Sequence, residues 1–202
     1  MKRLLLIVLP LLLIVGCSTS QKEYDINHIV KLNGVYIKEI SNEIVNGEVF
    51  QMVGDMKLPL GKLKDGKNEG KWISWYPNGQ KWSEGTYKNG YSNGLSTSWY
   101  ENEQKKSEGT YKDGNPSGLH TLWYENGQRM YQGSYKDGEY DGVHTQWNED
   151  EQMVMVETYK DGKEVGSWNW WYDNGQKKEE VSYKDGELIS KKEWNEDGSV
   201  KE

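Results

Sequence analysis

Residues 111–135 read YKDGNPSGLHTLWYENGQRMYQGSY, and this stretch decides the fold because its pattern recurs along the chain. Each unit opens on a Lys-Asp-Gly or Lys-Asn-Gly triplet. A second glycine follows the first five triplets by four residues, a tryptophan follows that glycine by five, and a tyrosine closes the unit. A fixed period is typical of proteins built from stacked supersecondary units. The triplets end, 24 residues apart, at Gly66, Gly90, Gly114, Gly138, Gly162 and Gly186.

Each unit also carries a turn signal between two short runs that suit β-strands. Asn-Gly, as at Asn78-Gly79, is the strongest short signal for a β-hairpin because both central turn positions need a positive φ. A two-residue turn there predicts that Tyr76 pairs with Lys81. The repeats therefore predict an all-β fold, an elongated single-layer antiparallel meander of tandem hairpins.

The same turn predicts which side chains share a face of the sheet, since successive residues of a strand point to opposite sides. One face is expected to carry Trp75, Ile73, Trp82, Glu84 and Thr86. The other is expected to carry Tyr76, Trp72, Gly70, Gly85 and Tyr87. Tyr87 would lie opposite Gly70 and beside Gly85, where its ring covers the glycine backbone. In the fourth unit the same register places His144 opposite Glu157.

The rows of tryptophan and tyrosine are the candidate binding surface. Equivalent rings recur every two strand spacings, about 10 Å, and such rows hold sugars, choline-like cations or a protein face. The alternative is that the rows are the core, because a single-layer sheet has little else to bury. The candidate residues are Trp75, Tyr76, Trp99, Tyr100, Trp123, Tyr124, Trp147, Trp171 and Tyr172.

The first residues have the pattern of an export signal. A basic start at Lys2-Arg3 precedes an apolar run from Leu4 to Val15. This run is shorter than the roughly 20 residues of a transmembrane helix and has the length of a signal-peptide core. It ends at Gly16-Cys17, and Cys17 is the single cysteine of the chain.

This ending resembles the bacterial lipobox. The resemblance implies cleavage after Gly16 and a lipid on Cys17, so that the exported protein is anchored to the cell membrane by its acyl chains. Ser18 then indicates the outer membrane if the host has two membranes. The alternative is a plain secretory signal in which Cys17 has no role.

Five segments follow from these patterns. Residues 1–16 are the signal peptide, 17–31 a flexible tether, 32–62 degenerate hairpins that cap the array, 63–192 the repeats and 193–202 a C-terminal cap. Within the first cap, Val35–Ile37 and Val49-Phe50 are predicted as strands around Asn46-Gly47. The end, Glu193 to Gly198, has the pattern of a last half-unit.

The Tyr-Lys-Asp-Gly-x-x-x-Gly unit followed by Trp-Tyr-x-Asn-Gly-Gln resembles the bacterial variant of the MORN repeat, from Leu63 to Lys192. The resemblance implies a sheet of consecutive hairpins that acts as a scaffold, a dimerisation module or a lipid-associated module, and bacterial members are frequently labelled antitoxin-like. The fourth unit departs from the pattern, which predicts an interruption of the aromatic surface there. Its departures are Asn148, Glu151, Met153, Met155 and Glu157.

Catalytic, metal and nucleic-acid functions fit the sequence poorly. The net charge of -7 disfavours nucleic acid. No serine has the strand-to-helix context of a nucleophile elbow, since the one Gly-x-Ser-x-Gly match, Gly90 to Gly94, spans the turn of a repeat. His120 and His144 share a repeat position about 9.6 Å apart, too far for one metal ion, and are interpreted as surface polarity. The recurring aspartates, such as Asp113, suit turns better than calcium.

The sequence therefore favours a non-enzymatic protein without a cofactor. The leading hypothesis is a lipid-anchored scaffold of the cell envelope that binds a protein partner. One alternative is an immunity or antitoxin-like protein that neutralises a partner toxin, and another is a module that binds cell-wall glycan or choline. Self-association is a further possibility for such a sheet.

Overall fold

The computed structural model describes residues 21–201, and most of this part of the chain is β-strand. The predicted signal peptide and Cys17 lie outside the described residues. One 3-10 turn, Ile26–His28, interrupts the strands. The strands are β1 Glu23–Asp25, β2 Ile29–Leu32, β3 Val35–Lys38, β4 Gly47–Val53, β5 Met56–Lys64, β6 Lys67–Trp75, β7 Lys81–Lys88, β8 Tyr91–Trp99, β9 Lys105–Lys112, β10 Asn115–Trp123, β11 Arg129–Lys136, β12 Glu139–Trp147, β13 Met153–Lys160, β14 Lys163–Glu164, β15 Gly166–Trp171, β16 Lys177–Lys184 and β17 Glu187–Glu193.

The main sheet is a meander in which strands β4 to β13 follow one another in chain order and β15 to β17 continue it. The short β14 pairs with β13 beside β15, and β1 joins the first edge parallel to β4. Strands β2 and β3 form a separate hairpin. The predicted all-β meander of tandem hairpins is confirmed.

Two kinds of turn alternate along the meander. At the Lys-Asp-Gly triplets both central residues have a positive φ, for example 50° at Asp113 and 88° at Gly114. Lys112 pairs directly with Asn115 across this turn. This is the tight two-residue turn whose twist suits a hairpin, and it confirms the interpretation of the recurring aspartates as turn residues.

The Asn-Gly turns are wider than predicted. Tyr76 donates its backbone N–H to the Gln80 carbonyl, and Gly79 donates to the Tyr76 carbonyl. Only Gly79 of the loop has a positive φ, at 85°. The loop therefore has three residues, in the arrangement of a tight turn followed by a left-handed glycine. The predicted pairing of Tyr76 with Lys81 is wrong, because Lys81 pairs with Trp75.

A β-bulge beside this loop restores the predicted register. Trp82 is the extra residue between the pairs Trp75–Lys81 and Ser74–Ser83. From there the pairs are those expected, including Gly70 with Tyr87. The loop shifts the register by one residue and the bulge shifts it back.

The predicted pair of His144 with Glu157 is also present, in the fourth unit. The face assignments are therefore confirmed for the body of each hairpin. Trp82, as the bulge residue, is the exception: it does not lie opposite Trp75.

The amino-terminal part of the described chain is folded, so the predicted tether over residues 17–31 is too long. Strand β1 pairs with β4, and Ile29 is buried. The strands predicted at Val35–Ile37 and Val49-Phe50 exist, but Asn46-Gly47 is not their hairpin turn. Strand β3 pairs with β2 and β4 pairs with β5. These strands enclose the aliphatic core, made of Ile29, Val45, Val49, Leu60 and Leu63.

The carboxyl-terminal segment repeats the geometry of the Asn-Gly loops. Asn195 donates to the Ser199 carbonyl and Gly198 donates to the Asn195 carbonyl. Trp194 bridges to Val200 across this loop. The segment is a last half-unit, as predicted.

Candidate binding surfaces of the hairpin array

One face of the array is filled by aromatic rings, and we call it the ring face. Neighbouring ring centroids along its central row are 4.8–5.5 Å apart. Most of these contacts are tilted or edge-on, the arrangement that aromatic quadrupoles favour. The central row is Tyr111, His120, Tyr135, His144, Tyr159, Trp168 and Tyr183.

The rings at the histidine position are held by the same hydrogen bond in four units. Trp72 and Trp168 donate their indole N–H groups to carbonyls of the preceding strand, at 3.1 and 2.9 Å. His120 and His144 place Nε2 on the equivalent carbonyls at 2.8 and 2.9 Å. A carbonyl only accepts, so both histidines carry their proton on Nε2.

His144 is a buried hub and not the surface residue that the sequence suggested. Its exposed fraction is 1 %. Because Nε2 donates to Ser134, Nδ1 accepts the hydrogen bond from the Tyr131 hydroxyl at 2.6 Å. Burial lowers the pKa of His144 below its ordinary value. The side chain therefore acts as a neutral structural link between strands.

The carboxylate opposite His144 also sits in the ring face. The Tyr159 hydroxyl donates to Glu157 Oε2 at 2.9 Å. Burial raises the pKa of Glu157, and burial likewise raises the pKa of the Tyr131 and Tyr159 hydroxyls. Tyr159 and Glu157 form one hydrogen-bonded pair of the ring face, and Tyr131 and His144 form another.

Strand glycines make room for these rings, but differently from the prediction. A Cβ added at Gly109 would fall inside the His120 ring, and one at Gly133 would meet Tyr131 and His144. Gly70, which does pair with Tyr87, has nothing within 4 Å of its added Cβ and is instead needed for its φ of 71°. Tyr87 does lie beside Gly85 as predicted, 3.5 Å from its added Cβ, whereas histidines of the next strand cover Gly109 and Gly133.

The opposite face carries the tryptophans, and we call it the indole face. Lys81 lies 5.3 Å from the centroid of the Trp99 ring, which belongs to the next unit. The same contact recurs with Lys105 on Trp123, Arg129 on Trp147 and Lys177 on Trp194. Each cation also forms the cross-strand pair with the tryptophan of its own unit, as Lys81 does with Trp75. Indoles and cations thus alternate along the sheet, at a gain of about 0.5–1 kcal/mol for each exposed contact.

The tyrosines that follow the tryptophans link successive units. Each hydroxyl donates to the backbone carbonyl of the tryptophan in the next unit, at 2.7–2.9 Å. The donors are Tyr76, Tyr100, Tyr124 and Tyr172, and the acceptors are the carbonyls of Trp99, Trp123, Trp147 and Trp194. We call these contacts the tyrosine ladder.

The candidate surface predicted from sequence is therefore half-buried at all nine positions. Eight of its nine rings, all except Trp171, contact cations or carbonyls of the chain itself. Whether the same rings also contact a partner stays a prediction.

A row of exposed aliphatic side chains lies on the indole face, and sequence reasoning missed it. Leu95, Leu119 and Val143 are 54 %, 53 % and 52 % exposed. They occupy the same repeat position, directly after the second glycine, and pair with Thr110, Ser134 and Thr158. We call the three side chains the aliphatic row. The sequence does carry a signal for this row. The repeat position holds Lys71 in the first unit, an aliphatic residue in each of the next three and Ser167 in the fifth.

The tyrosine ladder and the series of cations are both interrupted in the fourth unit, as the sequence predicted for the aromatic surface. Asn148 stands in the tyrosine ladder, and Met153 pairs with Trp147 where the other units place a cation. A cavity of about 680 Å³ opens at Asn148. Its walls include Tyr124, Val154, Trp171 and Tyr172.

The described residues bring together no three His, Cys, Asp or Glu side chains in an arrangement that could hold a metal ion. Nor does any helical segment between residues 21 and 201 have the length and hydropathy needed to cross a bilayer.

Four stretches of the chain match the sequence model of the MORN repeat variant: residues 68–89, 92–113, 116–137 and 164–185. The matches keep the 24-residue period and skip only the unit that contains Asn148 and Met153. No curated protein matches the chain. MORN repeats are commonly protein- or membrane-interaction modules and are typically non-catalytic. The chain therefore carries repeats of the MORN variant on a meander of hairpins.

Proposed function

We propose that this protein is a lipid-anchored scaffold of the cell envelope whose aliphatic row binds a partner protein. The observation that carries the proposal is the exposure of Leu95, Leu119 and Val143 at one repeat position of three successive hairpins. Side chains at this position are two strand spacings apart, so the row is about 19 Å long. Exposed aliphatic side chains that recur in line, rimmed by hydroxyl residues such as Thr110 and Ser134, are typical of an interaction site.

The chemistry of the indole face favours a protein over a small ligand. The aliphatic row lies on a flat sheet, whereas small-molecule sites are concave. Choline-like cations have weaker support, because Lys81, Lys105, Arg129 and Lys177 already contact the indole rings. Threonine and serine side chains beside the row supply the polar rim that protein interfaces have.

The amino-terminal pattern supports the envelope location. The lipobox-like ending at Gly16-Cys17 would place the acyl chains on residue 17, and β1 begins at Glu23. Five residues separate Cys17 from this strand, and at about 3.3 Å per residue they hold the sheet within about 20 Å of the lipid. The partner is thus expected at or near the membrane surface.

The proposal is tested by capture of membrane proteins with tagged full-length chain. We expect wild type to retain one partner from detergent-solubilised envelopes, and Leu119→Lys to reduce its yield at least tenfold, because a charge would be placed in an apolar contact. Leu188→Lys is the matched control, since Leu188 is 59 % exposed on β17, away from the row. Equal yields from the two variants would refute docking on the row. A Cys17→Ser chain that stays in the membrane fraction would refute the lipid anchor.

A further inference from the structure

Four of the five complete units fill one kind of socket with a tyrosine. In each, the phenol ring spans to the next unit and its hydroxyl donates to a tryptophan carbonyl. The socket thus offers a ring-sized space that ends in a hydrogen-bond acceptor. The chain itself shows which chemical group fits it, namely a phenol.

The remaining socket, at Asn148 in the fourth unit, has the same loop backbone geometry as the other four. Asn148 donates its N–H to the Gln152 carbonyl at 3.0 Å, as Tyr124 does to Gln128 at 2.9 Å. Glu151 has a φ of 59°, which reproduces the left-handed residue of the glycine loops. The loop geometry has not changed, so the socket is missing only its ring.

The Asn148 side chain does not substitute for the phenol. Its Oδ1 accepts hydrogen bonds from the backbone N–H groups of Asp150 and Gln152, and its Nδ2 donates to the Gln152 side chain. All three contacts lie within its own loop. Among residues 21–201, no tyrosine hydroxyl therefore reaches the Trp171 carbonyl as one reaches its counterparts in the other units.

The walls of the cavity suit an uncharged aromatic ring. Tyr124 and Tyr172, the neighbours in the ladder, stand on either side, and Met130 and Val154 add apolar surface. Asp173 and Glu196 also line the cavity. One cation, Lys178, lines it too, but the two carboxylates outnumber it and disfavour an anionic ligand such as a phosphorylated tyrosine.

We propose that this socket takes the side chain of a tyrosine presented by a partner protein, with the phenol hydroxyl donating to the Trp171 carbonyl. The site lies at the loops, beside the bulge residues Val154 and Lys178, and none of its lining residues belongs to the aliphatic row. A volume of about 680 Å³ holds the ring together with part of the flanking peptide.

The proposal is tested by measuring the binding of N-acetyl-tyrosinamide to the full-length protein with saturation-transfer NMR. Wild type is expected to bind it three- to tenfold more tightly than N-acetyl-phenylalaninamide, since one hydrogen bond is worth about 0.5–1.5 kcal/mol. Asn148→Tyr, which fills the socket, should abolish binding and raise Tm by about 2–4 °C. Leu188→Tyr adds a tyrosine elsewhere and should leave binding unchanged.

The reverse substitution opens a second socket. Tyr100→Asn copies the fourth unit into the second, so a folded Tyr100→Asn protein should bind two equivalents of N-acetyl-tyrosinamide. Should this variant unfold, the Asn148→Tyr comparison decides alone. Absence of binding to wild type, or binding to Asn148→Tyr within twofold of wild type, would overturn the proposal.

Discussion

Gly133→Ala is expected to lower the free energy of unfolding by about 2–3 kcal/mol, an overpacking effect. An alanine Cβ at residue 133 would meet the Tyr131 hydroxyl and His144 Nδ1, two atoms that are hydrogen-bonded to each other. His144 also packs against the Tyr135 and Tyr140 rings, and the Tyr131 hydroxyl lies 3.2 Å from the Tyr135 hydroxyl, so neither side chain can shift without disturbing another contact. Urea unfolding followed by tryptophan fluorescence measures the loss.

Gly85→Ala is the matched control, since Gly85 holds the same repeat position two units earlier. Its added Cβ would come no closer than 3.4 Å to the Ser96 hydroxyl, an ordinary contact. Replacing a strand glycine without strain is neutral or gains up to about 1 kcal/mol through the unfolded chain. Equal losses at Gly85 and Gly133 would show that the backbone, and not the ring contact, requires glycine here.

His144→Leu is expected to lower the free energy of unfolding by about 3 kcal/mol and to weaken the dependence of stability on pH. Leucine removes the side-chain partner of the Ser134 carbonyl and leaves the Tyr131 hydroxyl only the longer contact with Tyr135, and a buried polar group that loses its partner costs about 1–3 kcal/mol. In wild type, burial lowers the pKa of His144. The unfolded chain therefore binds a proton at this histidine more readily than the folded chain does. The stability that neutral His144 contributes is complete above about pH 6.5 and is lost as the pH falls below that value.

Other titratable groups around His144 must be separated from this effect. Tyr131, Tyr135 and Tyr159 stay protonated in this range, because burial raises the pKa of each hydroxyl above its ordinary value near 10. Burial raises the pKa of Glu157, and the effect of this residue on the pH dependence of stability is opposite to that of His144. The folded chain holds the carboxyl proton more tightly than the unfolded chain does, so stability rises as the pH falls through the raised pKa. The His144→Leu protein and wild type share the Glu157 contribution.

The difference between the two proteins therefore isolates the histidine. Tm measured at pH 7.5 and pH 5 should fall further in wild type than in His144→Leu. Parallel pH profiles, or a folded-state titration of His144 near its ordinary pKa, would contradict the buried and neutral histidine.

The repeat pattern was sufficient to predict the hairpin meander and most of its register. The 24-residue period places each Asp-Gly at a turn, and the pairs Gly70–Tyr87 and His144–Glu157 follow from turn positions alone. The loop at Asn78-Gly79 was misassigned because two compensating irregularities meet there. A three-residue loop and a bulge at Trp82 leave no trace in the register of the rest of the hairpin.

Other features depend on tertiary contacts that periodicity does not reveal. His144 looks polar in sequence, and its burial follows from Gly133 on one side and the tyrosines of neighbouring strands on the others. The parallel pairing of β1 with β4 joins segments more than 20 residues apart, so the stretch before Ile29 resembled a tether. The aromatic rows are evident in the sequence, whereas the cations and carbonyls that contact them are evident only in the structure.

Photo-crosslinking in intact cells tests the aliphatic row as a docking surface most directly. A photoreactive phenylalanine analogue is placed at residue 119, and at residue 188 in the control. We predict one discrete adduct with a different protein from residue 119 and none from residue 188. No adduct at residue 119, equal adducts from both positions, or an adduct made only of two copies of this chain would contradict the proposed partner surface.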